Sequence, residues 1–162
     1  MRVSAKADYA VRAAVELAAA DEGPVKGERL ADAQEIPLQF LEHILLELKH
    51  HGIVRARRGA KGGYWLARPA EEVTIADVVR AVEGPIADVQ STPPEAIQYR
   101  GNAEKLRDVW VAVRASLRSV LEEVTLADLV SGELPAIVGE LTAAPEAWQA
   151  STGTKEMATK SR

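Results

Sequence analysis

Between residues 52 and 64 the chain reads Gly-Ile-Val-Arg-Ala-Arg-Arg-Gly-Ala-Lys-Gly-Gly-Tyr. No other stretch limits the fold as strongly. Residues 53–58 alternate well enough to extend as one strand and 63–68 as the next, and Gly59, Gly62 and Gly63 supply the backbone freedom of a tight tip. Arg55 and Arg57 fall two apart and so share a face of their strand, while Arg58 and Lys61 stand at the tip. The segment therefore predicts a short cationic β-hairpin, with its charges placed where a partner can reach them.

The residues before it predict helices. Ser4 suits the N-cap of a helix over 5–20, with Ala10, Ala13, Ala14, Leu17 and Ala18 on its apolar stripe and a stop near Asp21-Glu-Gly-Pro24. Asp8 lies in its first turns, where an acid complements the helix dipole. A second helix is expected over 27–34, with Leu30 and Ala33 facing inward. After Ile36-Pro37 a third spans 38–51, with Leu41, Ile44, Leu45 and Leu48 at i, i+3, i+4 and i+7 spacing. His50 and His51 suit its C-terminus, and Gly52 ends it. Two helices joined by a short turn and followed by a cationic hairpin have the layout of a winged helix-turn-helix. Leu38, Gln39, Glu42 and His43 then lie on the exposed N-terminal face of the third helix, where a recognition helix meets base edges. Gln can bond both edge atoms of adenine, and Glu can accept from cytosine N4. Alone, this helix also reads as an ordinary amphipathic helix with a solvated polar face. The hairpin directly after it favours DNA.

Beyond Pro69, Thr74 with Asp77 three residues on predicts a capped helix that buries Ile75, Val78, Val79 and Val82 and stops at Gly84-Pro85. Residues 86–101 read as an irregular linker. Asn102 is expected to cap the longest helix, 103–124, with a stripe through Leu106, Val109 or Trp110, Val113, Leu117, Val120 or Leu121, and Val124. About 22 residues at 1.5 Å each exceed what a small head needs for its own core, so the stripe predicts pairing with a second copy. A further turn of helix is expected over 125–130, ended by Ser131-Gly132. Patterning fades from 133, and 151–162 are small and polar enough to be disordered. The expected organisation is a DNA-binding head over 1–84, a linker over 85–102, a dimerisation helix region over 103–132 and a flexible tail over 133–162. The fold class is mainly α with a small β-hairpin wing.

Composition narrows the function. With no cysteine, thiolate catalysis, disulfides and cysteine-held metals or clusters are excluded for this chain. The three histidines are too few and too clustered for a metal site, and no Ser/His/Asp set or close carboxylate pair is recognisable, so no catalytic residue and no cofactor are expected. Lys61-Gly-Gly lacks the order of a phosphate loop. The net charge of −4 is unevenly spread: residues 1–68 carry 11 basic and 9 acidic side chains, residues 69–162 carry 9 and 15. Residues 49–68 hold Lys49, Arg55, Arg57, Arg58, Lys61 and Arg68 and no acid, which gives the chain one basic face. No apolar run has the length of a membrane span, and no signal-peptide pattern opens the chain, so a cytoplasmic location is expected.

Together these residues resemble the Rrf-two family of bacterial transcription regulators, whose members include an iron–sulfur cluster regulator, a nitric oxide sensor and a cysteine metabolism repressor. The similarity covers about 1–132. It rests on Ser4-Ala-Lys-Ala-Asp-Tyr-Ala10, Ile36-Pro-Leu-Gln-Phe-Leu-Glu42, Arg58-Gly-Ala-Lys-Gly-Gly-Tyr64, Thr74-Ile-Ala-Asp-Val78, Trp110 and Thr125-Leu-Ala-Asp-Leu-Val130. The resemblance implies a homodimer crossed through the long helix, with two winged heads on successive major grooves of a near-palindromic operator, acting as a repressor. DNA contacts are expected from Ser4, Lys6, Leu38, Gln39, Phe40, Glu42, His43, Arg55, Arg57, Arg58, Gly59, Lys61 and Gly62. Glu42 matches the family's base-discriminating glutamate and Arg58 its minor-groove arginine. Phe40 holds the place of a common tyrosine, while Pro37 and Gln39 replace serines, so the operator is expected to differ from that of the iron–sulfur regulator. Cluster-binding relatives supply three cysteines just before the long helix. Residues 86–102 here have none, and Asp8, at the position of an acidic cluster ligand in some nitric oxide sensors, cannot hold a cluster alone. The chain therefore resembles a cluster-free branch, and its signal is left open between a small-molecule effector, a protein effector and nothing beyond protein abundance. The competing reading is a winged-helix protein-interaction module that works through a metabolic enzyme.

Overall fold

The computed structural model describes residues 2–20 and 23–149. Among them, seven helices and one hairpin follow in the order α1 (Ala5–Ala18), α2 (Gly27–Gln34), α3 (Leu38–His50), β1 (Val54–Arg57), β2 (Gly63–Leu66), α4 (Ile75–Glu83), α5 (Leu106–Leu121), α6 (Leu126–Ser131) and α7 (Ala136–Thr142). No helix there is long and apolar enough to cross a membrane.

The head is built around α1. Ala7, Ala10, Ala13, Ala14 and Leu17 are buried along one face, and small side chains there let α3, α4 and α6 approach closely. The expected face of α3 is buried in full: Leu41, Ile44, Leu45 and Leu48 lie in the same core. In α2 the inward residues are Leu30 and Ala31, and Ala33 is exposed. The tight left-handed turn at Glu35 that follows α2 brings Ile36 into the core, which fixes a rotation of α2 that the two-residue spacing of Ala31 and Ala33 cannot specify.

The hairpin pairs Val54 with Leu66, Arg55 with Trp65, Ala56 with Tyr64 and Arg57 with Gly63. It is anchored to the head by a third segment. The Val25 amide donates to the Tyr64 carbonyl and the Tyr64 amide to that of Val25, both at 2.8 Å. Two glycines make this possible. A Cβ on Gly62 would stand 2.0 Å from the Arg57 carbonyl oxygen, and one on Gly63 2.5 Å from that of Val25.

Two matching caps close the head. The Thr74 hydroxyl accepts from the Asp77 amide and the Asp77 carboxylate accepts from the Thr74 amide; Thr125 and Asp128 repeat the arrangement at α6. The two N-termini are stitched together: the Ile75 amide donates to the Val124 carbonyl, and the Leu126 amide to that of Val73, each at 2.9 Å. Leu126 is wholly buried with α1 and α4, so the head's core draws on residues well beyond 84.

Three expectations are corrected here. Asn102 does not cap the long helix. It lies in a 3-10 turn, Gly101–Ala103, and α5 begins at Leu106 after Lys105. The helix has 16 residues, about 24 Å. Val124 does not belong to the exposed stripe: it is buried where the chain pairs with α4, which removes it from the expected dimer contacts. The region after 132 is not featureless, because α7 and a 3-10 turn, Pro145–Trp148, occupy it. The disorder expected over 151–162 lies outside the described residues.

Because Leu126 fills the core while Leu141 is exposed, their truncations should differ. Leu126→Ala is expected to cost roughly 2–5 kcal/mol of stability, and Leu141→Ala to stay within about 0.5 kcal/mol, in urea unfolding at fixed protein concentration.

Candidate nucleic-acid interface

Burial of Leu41, Ile44, Leu45 and Leu48 turns the opposite side of α3 outward. Gln39, Glu42, His43, Leu46, Lys49 and His50 are exposed along it. Leu38 is only half-exposed and packs against the core. The helix end is tightened by the His51 ring, whose Nδ1 lies 3.0 Å from the Glu47 carbonyl.

Phe40 stands at the flank of this face, 42% exposed. Its ring meets that of Tyr9 edge-on, with centroids 5.8 Å apart and planes at 86°. The Arg12 guanidinium lies 5.3 Å from the Tyr9 ring centre. Arg12 is itself fixed by the Gln34 side-chain oxygen at 3.0 Å, by the Gln34 carbonyl and by Asp8 at 3.1 Å, and Gln34 bonds Glu16. This chain ties α1 to the turn between α2 and α3. Neither Tyr9 nor Arg12 stands out in the sequence, because their meaning depends on the contact between helices.

Ser4 and Lys6 serve the fold as well. The Ser4 hydroxyl accepts from the Ala7 amide at 3.0 Å and donates to Glu83 at 2.6 Å. Lys6 bonds the Val82 carbonyl at 2.7 Å and Glu47 at 2.8 Å. Both are thus engaged inside the chain, joining α1 to α4 and α3.

The wing carries its cations differently. Val54 is buried and Arg55 and Arg57 are exposed, so the two arginines share the outer face. Arg57 donates to the Lys61 carbonyl at 2.9 Å, and Lys26 reaches across to the Gly59 carbonyl at 2.7 Å. The Gly62 amide donates to Gly59 within the tip, and Gly62 itself is buried, so its part is to shape the turn. Arg55, Arg58 and Lys61 have no ion-pair partner among the described residues.

The outer face of α3 and the wing share one groove. Glu42, Leu46 and Lys49 line it from α3, Arg57, Arg58 and Gly59 from the wing. Lys26 and Glu28, at the start of α2, complete its floor with Tyr64. The Tyr64 phenol is held above its ordinary pKa by burial first, then by the carboxylates of Glu42 and Glu28. The groove is cationic overall, with two acids set into it.

A cluster or metal does not fit these residues. Thiolate donors are missing from the whole sequence. No group of three His, Cys, Asp or Glu that could hold a metal ion occurs among the described residues. Asp8 is paired with Arg12, and Glu95, in the segment before α5, is paired with Arg114 at 2.7 Å.

Comparison with known proteins agrees with this geometry. Residues 3–132 match the sequence profile of the Rrf2 family, described as Iron-dependent Transcriptional regulator. A Mycobacterium tuberculosis protein, provisionally named an HTH-type transcriptional regulator, is 54% identical over 142 residues, 87% of this chain and 88% of that one. The structure of CymR, the global cysteine regulator of B. subtilis, superposes with a TM-score of 0.69 at 31% identity, over 82% of this chain and 98% of that one. T. potens IscR does so with a TM-score of 0.67 at 32% identity, over 82% and 88%. With its helix-turn-helix, its glycine-shaped wing and these relatives, the chain belongs to the Rrf2 (Rrf-two) family of winged helix-turn-helix transcriptional regulators and is not an enzyme.

Proposed function

We propose that this regulator is a homodimeric, cluster-free repressor that binds a near-palindromic duplex, each α3 entering a major groove and each wing tip the adjacent minor groove. The observation that carries the reading is the shared groove, where the open polar face of α3 adjoins a wing tip whose Arg58 and Lys61 have no ion-pair partner. Gln39, Glu42, His43 and Phe40 are the base-facing set. Arg58 enters the narrow minor groove, where the potential is most negative. Arg55, Arg57, Lys61 and the backbone around Gly59 meet phosphates. Ser4 and Lys6 position α1 for this set.

Dimerisation is supported by α5. None of its 16 residues is buried, although Leu106, Trp110, Val113, Leu117 and Val120 recur at helical spacing and Val109 is 52% exposed. A stripe that its own chain covers only in part fits a second copy. A bound dimer spanning two successive major grooves occludes other proteins from that duplex, which is the basis for the repressor role. An effector, small molecule or protein, acts by changing the spacing of the heads.

Titrating the full chain and its variants against an operator and a scrambled duplex at several salt concentrations tests the reading. Lys61→Ala is expected to weaken binding to both duplexes and to reduce the salt slope by about one. Glu42→Ala should relax preference at particular bases by roughly 1–3 kcal/mol while scrambled-duplex binding holds or tightens. An unchanged operator-to-scrambled ratio in Glu42→Ala removes α3 as the base reader. Salt-independent behaviour of the parent chain favours the protein-interaction module instead.

Val113→Glu places a charge within the stripe. It should shift the chain to monomer in sedimentation at micromolar concentration and weaken operator binding, because the two half-sites are read together. The protein purified without oxygen should lack stoichiometric iron and sulfide and visible cluster absorbance, since it offers no thiolate.

A further inference from the structure

Besides Phe40, whose ring packs on Tyr9, the proposed reading face of α3 contains one more side chain that solvent does not favour. Leu46 is 48% exposed, with Glu42, His43, Lys49 and His50 around it on the same face. A lone exposed leucine is unremarkable on an ordinary surface. Leu46 is placed differently: it lines the groove between α3 and the wing, together with Glu42, Lys49, Arg57 and Arg58. It lies at i+7 from Gln39 and i+4 from Glu42, and so continues the row of side chains that points away from the core. Its neighbour Leu45 is buried, so the helix does not need Leu46 for packing.

We propose that Leu46 is a specificity-determining residue that packs against the 5-methyl group of a thymine in the major groove. The inference rests on the reading that α3 enters that groove. An apolar side chain there has one large matching feature on base edges, the thymine methyl; the cytosine C5–H offers much less apolar surface, and the remaining groups are hydrogen-bond donors or acceptors. The surrounding cations bring the phosphates close enough to seat the helix, and the leucine then discriminates by shape and desolvation. Residues four apart on a helix stand roughly 6 Å apart, and successive bases of a strand rise about 3.4 Å. The thymine therefore lies within about two base pairs of the one that Glu42 addresses.

Replacing single thymines by deoxyuridine tests this, because it removes the methyl group and leaves the pairing intact. The full wild-type chain first selects a duplex from a randomised pool. Each thymine of that duplex is then replaced in turn, and binding of wild type, Leu46→Ala and Leu46→Met is titrated. At one thymine per half-site the wild type should lose about fourfold, the equivalent of roughly 0.8 kcal/mol for one buried methyl group, and about fifteenfold when both half-sites are changed. Leu46→Ala should bind the thymine duplex at least as weakly as wild type binds the uracil duplex, and lose nothing further on demethylation. Leu46→Met, which keeps an apolar contact, should retain the sensitivity. A wild type indifferent to every demethylation overturns the proposal, as does a Leu46→Ala variant that stays fully sensitive. If the wild type selects no duplex above the pool, the DNA reading of α3 falls and this inference with it. If a duplex is selected but no methyl matters, only this inference falls.

Discussion

The alanine face of α1 is the constraint on which the rest of the head depends. Ala7, Ala10, Ala13 and Ala14 offer little apolar area each, so α1 contributes by letting others come close. α3, α4 and α6 all pack against it, and their leucines and valines supply the volume that the helix lacks. A core with so little aromatic content works because the helices interlock at short range, where many small dispersion contacts add up. The same packing holds α3 on three sides. Its inner face is fixed by α1, its flank by the Tyr9–Phe40 contact, and its end by the run into β1. On the proposed binding mode, a helix held on three sides presents its outer face with little freedom left to lose on binding.

A second constraint joins the head to α5. The paired caps at Thr74 and Thr125 place the N-termini of α4 and α6 side by side, and the two hydrogen bonds between 73–75 and 124–126 lock them. Just before this junction Glu122 accepts from both Arg80 of α4 and Arg118 of α5. Its carboxyl pKa is held below the ordinary value, by Arg118 most and by Arg80 next. With the folded value depressed, the stabilising contribution is present above the ordinary carboxylate pKa and lost as pH falls through the depressed one. The C-terminal end of α5 is thus fastened to the head. At its other end the attachment runs through the irregular segment 86–105, secured by Pro94 and the Arg114–Glu95 pair. On the proposed dimer, a change in that segment would tilt α5 about its fastened end and alter the distance between reading helices.

Much of this was legible from residues because the deciding signals are local. Thr74 and Asp77, Gly52 after α3, and the glycines around Lys61 each act within four residues of themselves, and the structure places all of them as their spacing implies. The errors fall where a distant contact decides. Val124 has the spacing of the α5 stripe, yet its backbone pairs with α4 and takes its side chain into the head. Asn102 is a good capping residue, but the chain first makes a 3-10 turn. Ala31 and Ala33 are chemically identical, and only the position of Ile36 separates them. The same holds for the site. Glu42, Gln39 and Arg58 could be picked out by chemistry and resemblance, whereas Leu46 could not. Next to Leu45 it reads as one more core leucine, and its isolation becomes visible only when the wing is placed beside it.

The acids in the groove bear on how such a protein can be selective. A cationic surface binds any duplex, since counterion release is blind to sequence. Glu42 and Glu28 oppose that attraction from within the groove. On the proposed binding mode, a duplex without a cytosine amino group opposite Glu42 leaves a carboxylate facing acceptors with its water removed, which is unfavourable. The right duplex satisfies the carboxylate and recovers that loss. Glu42 would then discriminate mainly by weakening the wrong complexes.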